Sequence, residues 1–265
     1  MRNLSKIVLG VVTQATRRAI STEDTTMKVR HSSVLATIIG VLVFSQAAFA
    51  QSPFFVDRFT GSSLNVHLQD ADSAFRLDWK SIGLSACEPY SPSANRHHIT
   101  TLRSDYLSSN WTYEITFNTP ANAPDDILFI GFGQGEGDSS YFNEPLDSVN
   151  FRIHQGENGF WAGWRVDVAA HSLGSGVFTY LETIGYLPPG PEGGIFTARI
   201  RKIGSQVSFE ILDTSPAISV TIPDITTTAP FLSPFASRIF FGNASCVYSY
   251  GDLRVLPASV DSNDR

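Results

Sequence analysis

The sequence predicts an all-β protein, a single two-sheet antiparallel sandwich that follows a leader of about 50 residues. Three observations carry this. Helical periodicity is scarce; short runs alternate apolar with polar residues; and clusters of Gly, Pro, Asn and Ser separate the runs. About 215 residues remain after the leader, which suits one large β domain.

The leader comes first. Met27-Lys28-Val29-Arg30-His31 is basic, Val34 to Phe44 is apolar apart from Thr37 and Gly40, and Ala47-Ala48-Phe49-Ala50 follows. That is the charged, apolar and A-x-A pattern of a secretory signal, and the apolar run is shorter than the roughly 20 residues a bilayer span needs. The reading is a signal at 27–50, an extension at 1–26 ahead of a start at Met27, and a secreted or cell-envelope domain at 51–256. A polar tail, 257–265, closes the chain. Residues 1–50 hold six of the 19 Lys and Arg and two of the 25 Asp and Glu. The remainder therefore carries 13 basic and 23 acidic side chains, a balance of −10. Such a domain argues against nucleic acid or an anionic membrane as partner and suits a neutral glycan or calcium. In an exported chain, Cys87 and Cys246 are expected to pair, with two buried thiols as the alternative.

The strands follow in order. In Trp111-Thr112-Tyr113-Glu114-Ile115-Thr116-Phe117 apolar and polar residues alternate strictly, the mark of a half-buried strand. Ile127 to Phe132 is continuously apolar, as in a central strand covered on both faces. Val149 to His154 alternates with Asn150, Arg152 and His154 on one face. In the run that follows, parity sends Trp161, Arg165 and Asp167 to one face and Trp164, Val166 and Val168 to the other. From Phe196 to Leu212 the sequence reads as a hairpin about Gly204-Ser205. Its register sets Ile200 against Phe209, Ala198 against Ile211, Ile203 against Gln206 and Arg199 against Glu210. A slip of one residue loses both the apolar and the charged matches. Arg238 to Gly242 and Gly251 to Leu256 are the last strands.

Three segments carry a resemblance. Phe55-Val56-Asp57-Arg58-Phe59-x-Gly61-x-x-Leu64 resembles the first strand of concanavalin A-like jelly rolls, the superfamily that includes laminin-G-like modules and many glucanases. The 196–212 hairpin is similar to their strand–turn–strand core. Phe240-Phe241-Gly242-Asn243 and Gly251-Asp252-Leu253-Arg254-Val255 are similar to their closing strands. The resemblance spans most of 54–256. It implies a jelly roll, commonly a carbohydrate ligand, and often a structural calcium beside the first and last strands, where Asp57 and Asp252 stand.

Three functions follow as expectations. The first is a carbohydrate-binding module without catalysis, its face built from Asn150, Arg152, His154, Trp161 and Arg165, since sugars stack on exposed rings while polar side chains bond their hydroxyls. The second is a polysaccharide-cleaving enzyme. A glycosidase would normally need two carboxylates about 5–10 Å apart, and the superfamily's Glu-x-Asp-x-Glu run is missing; Glu136-Gly137-Asp138 lies in a Gly-rich loop and Pro145 interrupts Glu144 to Asp147. A lyase needs a base and a group that neutralises a uronate. Leu102-Arg103-Ser104-Asp105 and Arg152-Ile153-His154 resemble elements of jelly-roll alginate lyases, which implies Arg103, Arg152 and His154 as candidate catalytic residues. Arg152 stands where that family has glutamine, its Tyr-Phe-Lys-Ala-Gly element is absent, and an acidic domain suits a polyuronate badly. The third is a structural or adhesion module of the cell envelope. His97-His98 read as loop residues, because neighbours on a strand point to opposite faces and cannot share a metal.

Overall fold

The structure is a computed structural model that describes residues 54–70, 75–78, 80–84, 98–119, 127–134, 145–155, 164–172, 177–187, 194–243 and 249–258. The chain partitions between Gln51 and Ser52, and everything described lies in the second part. Cys87, Cys246, Trp161, Trp79, His97, Glu136, Asp138 and Glu144 fall outside the described residues.

In chain order the strands begin with β1 (Phe55–Asp57), β2 (Leu68–Gln69), β3 (Phe75–Asp78), β4 (Ser81–Leu84) and β5 (His98–Thr101). Next come β6 (Trp111–Thr119), β7 (Ile127–Gly133), β8 (Ser148–Gln155), β9 (Trp164–Ser172) and β10 (Val177–Leu187). The last five are β11 (Gly194–Ile203), β12 (Gln206–Leu212), β13 (Ile218–Ile222), β14 (Arg238–Asn243) and β15 (Ser249–Pro257). A single helical turn, α1 (Ile225–Thr228), follows β13, its N–H of Thr226 capped by the Asp224 carboxylate. No helix among the described residues is long and apolar enough to cross a membrane.

Two antiparallel sheets form. One runs β13-β12-β11-β6-β15-β4-β3, with β1 added on β15; the other runs β10-β9-β8-β7-β14-β5-β2. Apolar residues at every second position face each other between the sheets. Trp111, Tyr113, Ile115 and Phe117 of β6 and Ile200 of β11 come from the first; Ile130, Phe132, Phe151 and Val168 come from the second. Ring pairs bridge the layers: Phe151 meets Phe209 edge-on at 5.1 Å, and Trp111 meets Phe132 at 5.4 Å. Each such ring contributes about 1.5–3 kcal/mol by burial alone.

The hairpin has the expected register: Ile203 faces Gln206, Ile200 Phe209, Arg199 Glu210 and Ala198 Ile211. Gly204 turns it at φ +59°, which a side chain would resist. Arg199 also pairs with Glu114 on β6, so the charged match extends over three strands. Lys202 is buried near the turn and donates to the carbonyls of Ser109 (3.1 Å) and Gly204 (2.7 Å). Lys202→Met should cost about 2 kcal/mol in chemical denaturation, because two carbonyls lose a charged donor; no change would remove the ammonium from the hairpin's anchorage.

Some elements differ from expectation. His98 is not in a loop: it opens β5 and is buried, its ring 6.3 Å from Phe240 and 6.5 Å from Phe129. Four residues are too few to show alternation, so β14 supplies the register that the local sequence lacks. The eleven-residue β10 has irregularities at Tyr180/Glu182 and Thr183/Gly185, which break the two-residue period by which a strand is recognised. Asn110 and Asn243 both begin glycosylation sequons. Asn243 is fully buried, whereas Asn110 is exposed with its amide oxygen accepting from Gly204 N–H.

Candidate functional site

The seven-stranded sheet has a second face that does not belong to the core, and the polar side chains gather there. On β8 these are Ser148, Asn150, Arg152 and His154; on β9 they are Arg165, Asp167 and His171. The ladder sets Arg152 opposite Asp167, His154 opposite Arg165 and Ser148 opposite His171. On β7 the same face has Gly131 and Gly133, opposite Asn150 and Ser148. On β10, Thr183 faces Asp167 and Tyr186 faces Arg165. Exposure is graded: Tyr186 is 49 % exposed, Arg152 only 3 %, Asn150 and Asp167 not at all.

Asp167 is the hub. Its Oδ2 lies 3.0 Å from His154 Nε2, and its Oδ1 accepts from Arg165 Nε (2.8 Å) and from the Thr183 hydroxyl (2.6 Å). Burial alone pushes the carboxyl up. The bonds from His154, Thr183 and Arg165, with the arginine's charge, outweigh that and hold it below its ordinary value. An ionised Asp167 accepts only, so His154 donates from Nε2–H to it.

At the other end of β8, burial and the neighbouring Arg152 push the His171 imidazole down, against a smaller upward pull from Asp147. His171 therefore stays neutral in the folded protein at pH values where the unfolded chain's imidazole takes up a proton. Stability should fall as pH drops below about 6.5, and His171→Gln should flatten that part of the curve. Asp167 acts lower: its stabilisation is complete above the ordinary carboxylate value of about 4 and fades as pH falls through its depressed folded value. Urea midpoints measured between pH 7 and pH 3 check both.

Gly131 is required by packing. A Cβ there would sit 2.4 Å from Asn150 Cβ and 2.4 Å from the Val149 carbonyl oxygen. With Ala169 opposite Asn150 on the other side, the asparagine stands between two positions of little bulk. Its amide nitrogen donates to the Ser148 hydroxyl at 3.3 Å. Its amide oxygen is buried without a hydrogen-bond partner among the described residues.

Asn150, Arg152, His154 and Arg165 thus come together on one face; Trp161 lies outside the described residues. Arg103 does not join them. It follows β5 and bonds Asp105 at 2.9 Å. Three strand spacings, about 14 Å, separate it sideways from β8, and it lies at the end of the sheet opposite His154. The trio Arg103, Arg152 and His154 is therefore not one site. Tyr186, Thr183 and His171 are additions that the sequence did not single out. Only the β9–β10 ladder reveals the first two, and a two-residue period read beyond Val168 was the available signal for the third.

Asp57 and Asp252 lie on the paired first and last strands, next to each other in the ladder. Asp57 Oδ1 accepts from Phe59 N–H at 2.8 Å, and Asp252 faces Arg254 at 3.7 Å. Calcium takes six to eight oxygens, and no group of three or more His, Cys, Asp or Glu able to hold a metal occurs among the described residues. The two carboxylates would supply only part of such a shell.

No family model and no curated protein matches this sequence. Solved structures do match. The exoplasmic/lumenal domain of VIP36 in its calcium- and mannose-bound form aligns over 81 % of this chain and 93 % of its own, at TM-score 0.55 and 10 % identity. The two share a fold, a two-sheet antiparallel jelly roll. A xylan β-1,4-xylosidase from Bacillus halodurans C-125 shares this jelly roll at TM-score 0.55 and 12 % identity, over 78 % of this chain and 40 % of that one. A Bacteroides ovatus xyloglucan PUL GH43B chain does so at 0.52 and 12 %, over 77 % and 39 %. The jelly roll here spans about two-fifths of those two chains and nearly all of the VIP36 domain. At such identities the likeness is one of fold.

Proposed function

We propose that this is an exported glycan-binding domain whose binding face is the outer face of the seven-stranded sheet. The observation that carries the reading is Tyr186, half-exposed opposite Arg165, with the partly exposed His154 next across the ladder. A sugar offers an apolar C–H face and a rim of hydroxyls; a ring beside fixed donors and acceptors matches both. The fold is consistent with it, since the VIP36 domain was solved with mannose and the xylosidase acts on xylan. Within the superfamily, the order of opening strand, hairpin and closing strands favours the laminin-G-like modules.

Affinity gel electrophoresis against a broad polysaccharide panel tests the proposal. At least one polymer should retard the domain, and Tyr186→Ala should weaken that retardation roughly 30-fold, the effect of losing one aromatic anchor of about 2 kcal/mol. Silence across the panel would refute it. The leader at 27–50 supports export, which N-terminal sequencing of the exported protein checks by finding a start near Gln51.

A second reading rests on the His154–Asp167 pair. A carboxylate that holds Nε2–H leaves Nδ1 to take a proton, which is what a general base in β-elimination requires. New near-ultraviolet absorbance from unsaturated ends, abolished by His154→Ala, would establish it; unchanged polymer after long incubation would leave binding alone.

A further inference from the structure

We propose that the end of the sandwich where β1 begins and β15 finishes is a lipid-docking tip, with Val66, Leu102 and Phe235 resting on a neutral bilayer surface. Val66 is 70 % exposed, Leu102 45 % and Phe235 83 %. They stand on three loops that hydrogen bonds join. Leu102 N–H donates to the His67 carbonyl at 2.9 Å, and the Ser104 hydroxyl donates to that of Phe235 at 3.4 Å. Arg238 Nη1 ties in the carbonyls of Thr101 and Leu102, and Tyr106 N–H bonds the Ser237 carbonyl. These bonds fix the three backbones, so the apolar side chains are held in water rather than folded against the core. Apolar groups gathered in that way mark an interaction surface.

The course of the chain says what lies against it. β1 begins at this end, where Phe55 pairs with Val255 and stacks its ring on His67 at 4.8 Å. β15 finishes here, Pro257 pairing with Trp111 and Ala258 N–H reaching the Asn110 carbonyl. Upstream, the apolar run 34–44 closes ten residues before Phe54, at most about 35 Å of extended chain. On the export reading, from which the choice of lipid follows, that run sits in the export membrane before it is cut. This end is then tethered within reach of the bilayer at high local concentration. A contact of three apolar side chains is marginal alone, on the order of 10⁴ M⁻¹ as for one acyl chain, and a second attachment makes it firm. Charge selects the headgroup. Arg103 is bonded by Asp105 and Arg238 by the two carbonyls, while the domain balances at −10, so anionic lipid is repelled. The glycan face stays clear. On β7, Ile127 opposite His154 and Phe132 against Trp111 are five residues apart, about 17 Å along the strand.

Co-sedimentation of the exported protein with vesicles of phosphatidylcholine and phosphatidylethanolamine tests the inference. Half should sediment at about 0.1 mM lipid, the reciprocal of that affinity. Phe235→Asp should weaken this roughly 30-fold through loss of one buried ring and leave polysaccharide retention unchanged. Ile195→Asp, at a position 79 % exposed near the other end of the strands, should alter neither; melting curves establish that both variants fold. No sedimentation at millimolar lipid would overturn the inference, as would equal losses from the two variants. Stronger binding on adding phosphatidylglycerol would make the contact electrostatic, and the inference fails. It also fails if Phe235→Asp turns dimers into monomers while vesicles bind nothing, since the surface then joins two copies of this chain. Binding is read on the isolated protein, so a silent polysaccharide panel would sink the glycan reading alone.

Discussion

Asp167→Ala is expected to lower the unfolding free energy by about 3 kcal/mol, because an arginine, an imidazole and a hydroxyl lose the buried acceptor they share. The carboxylate is wholly buried and holds His154, Arg165 and Thr183 at 3.0 Å or less. Without it, Arg165 loses an ion pair at 2.8 Å, and His154 and Thr183 lose the acceptor they share. In a domain of about 210 residues such a loss moves the melting temperature by roughly 10 °C. Thr183→Val removes one donor only and should cost about 1 kcal/mol. Denaturation by urea at pH 7 compares the two. If Asp167→Ala costs no more than Thr183→Val, the carboxylate is not sealed into the sheet and the hub described here is wrong.

Gly131→Ala is expected to cost about 3 kcal/mol, at the upper end for overpacking. Directly opposed Cβ atoms normally stand about 4.5–5.5 Å apart, whereas a Cβ at residue 131 would meet that of Asn150 at 2.4 Å. One of the other obstructing atoms is a backbone oxygen, so no side-chain rotation relieves the contact. β7 and β8 must separate, and they are central strands of their sheet. The same movement displaces Asn150 and Arg152, so glycan retention should fall along with stability. Glu210→Ala, on the other sheet and partly exposed, should change stability by less than about 1 kcal/mol and leave retention unaltered. Equal behaviour of the two variants would show that the pinch at Gly131 is dispensable.

How much of this was visible beforehand differs from element to element. The 196–212 hairpin was legible to the residue pair, because apolar and charged matches agree on one register and a glycine marks the turn. β7 was legible as a doubly covered strand, since every one of its seven residues is buried. The shared face of Asn150, Arg152, His154, Arg165 and Asp167 followed from parity once β8 and β9 were neighbours. Parity could not say that they were neighbours, nor that Arg103 was three strands away. It failed altogether on β10, where two irregularities shift the alternation and conceal Tyr186 and Thr183.

Charge shows the same division. The net charge of a chain is a sum over its whole surface, and here it pointed to a neutral ligand. Only the fold places Arg152, Arg165 and Arg238 on one face together with Asp167, while the other sheet mixes Glu114, Glu210 and Asp252 with Arg199, Arg201, Lys202 and Arg254.

The sequence by itself determined the class of fold, the hairpin register and the faces of the long strands, because these depend on residues two apart on one chain or opposite across a short turn. The order of strands in the sheets, the Asp167 hub, the close approach at Gly131 and the placement of Tyr186 were decided only by tertiary structure. Each depends on which distant strands lie side by side, and that is chosen by how the two apolar faces fit together across the whole core.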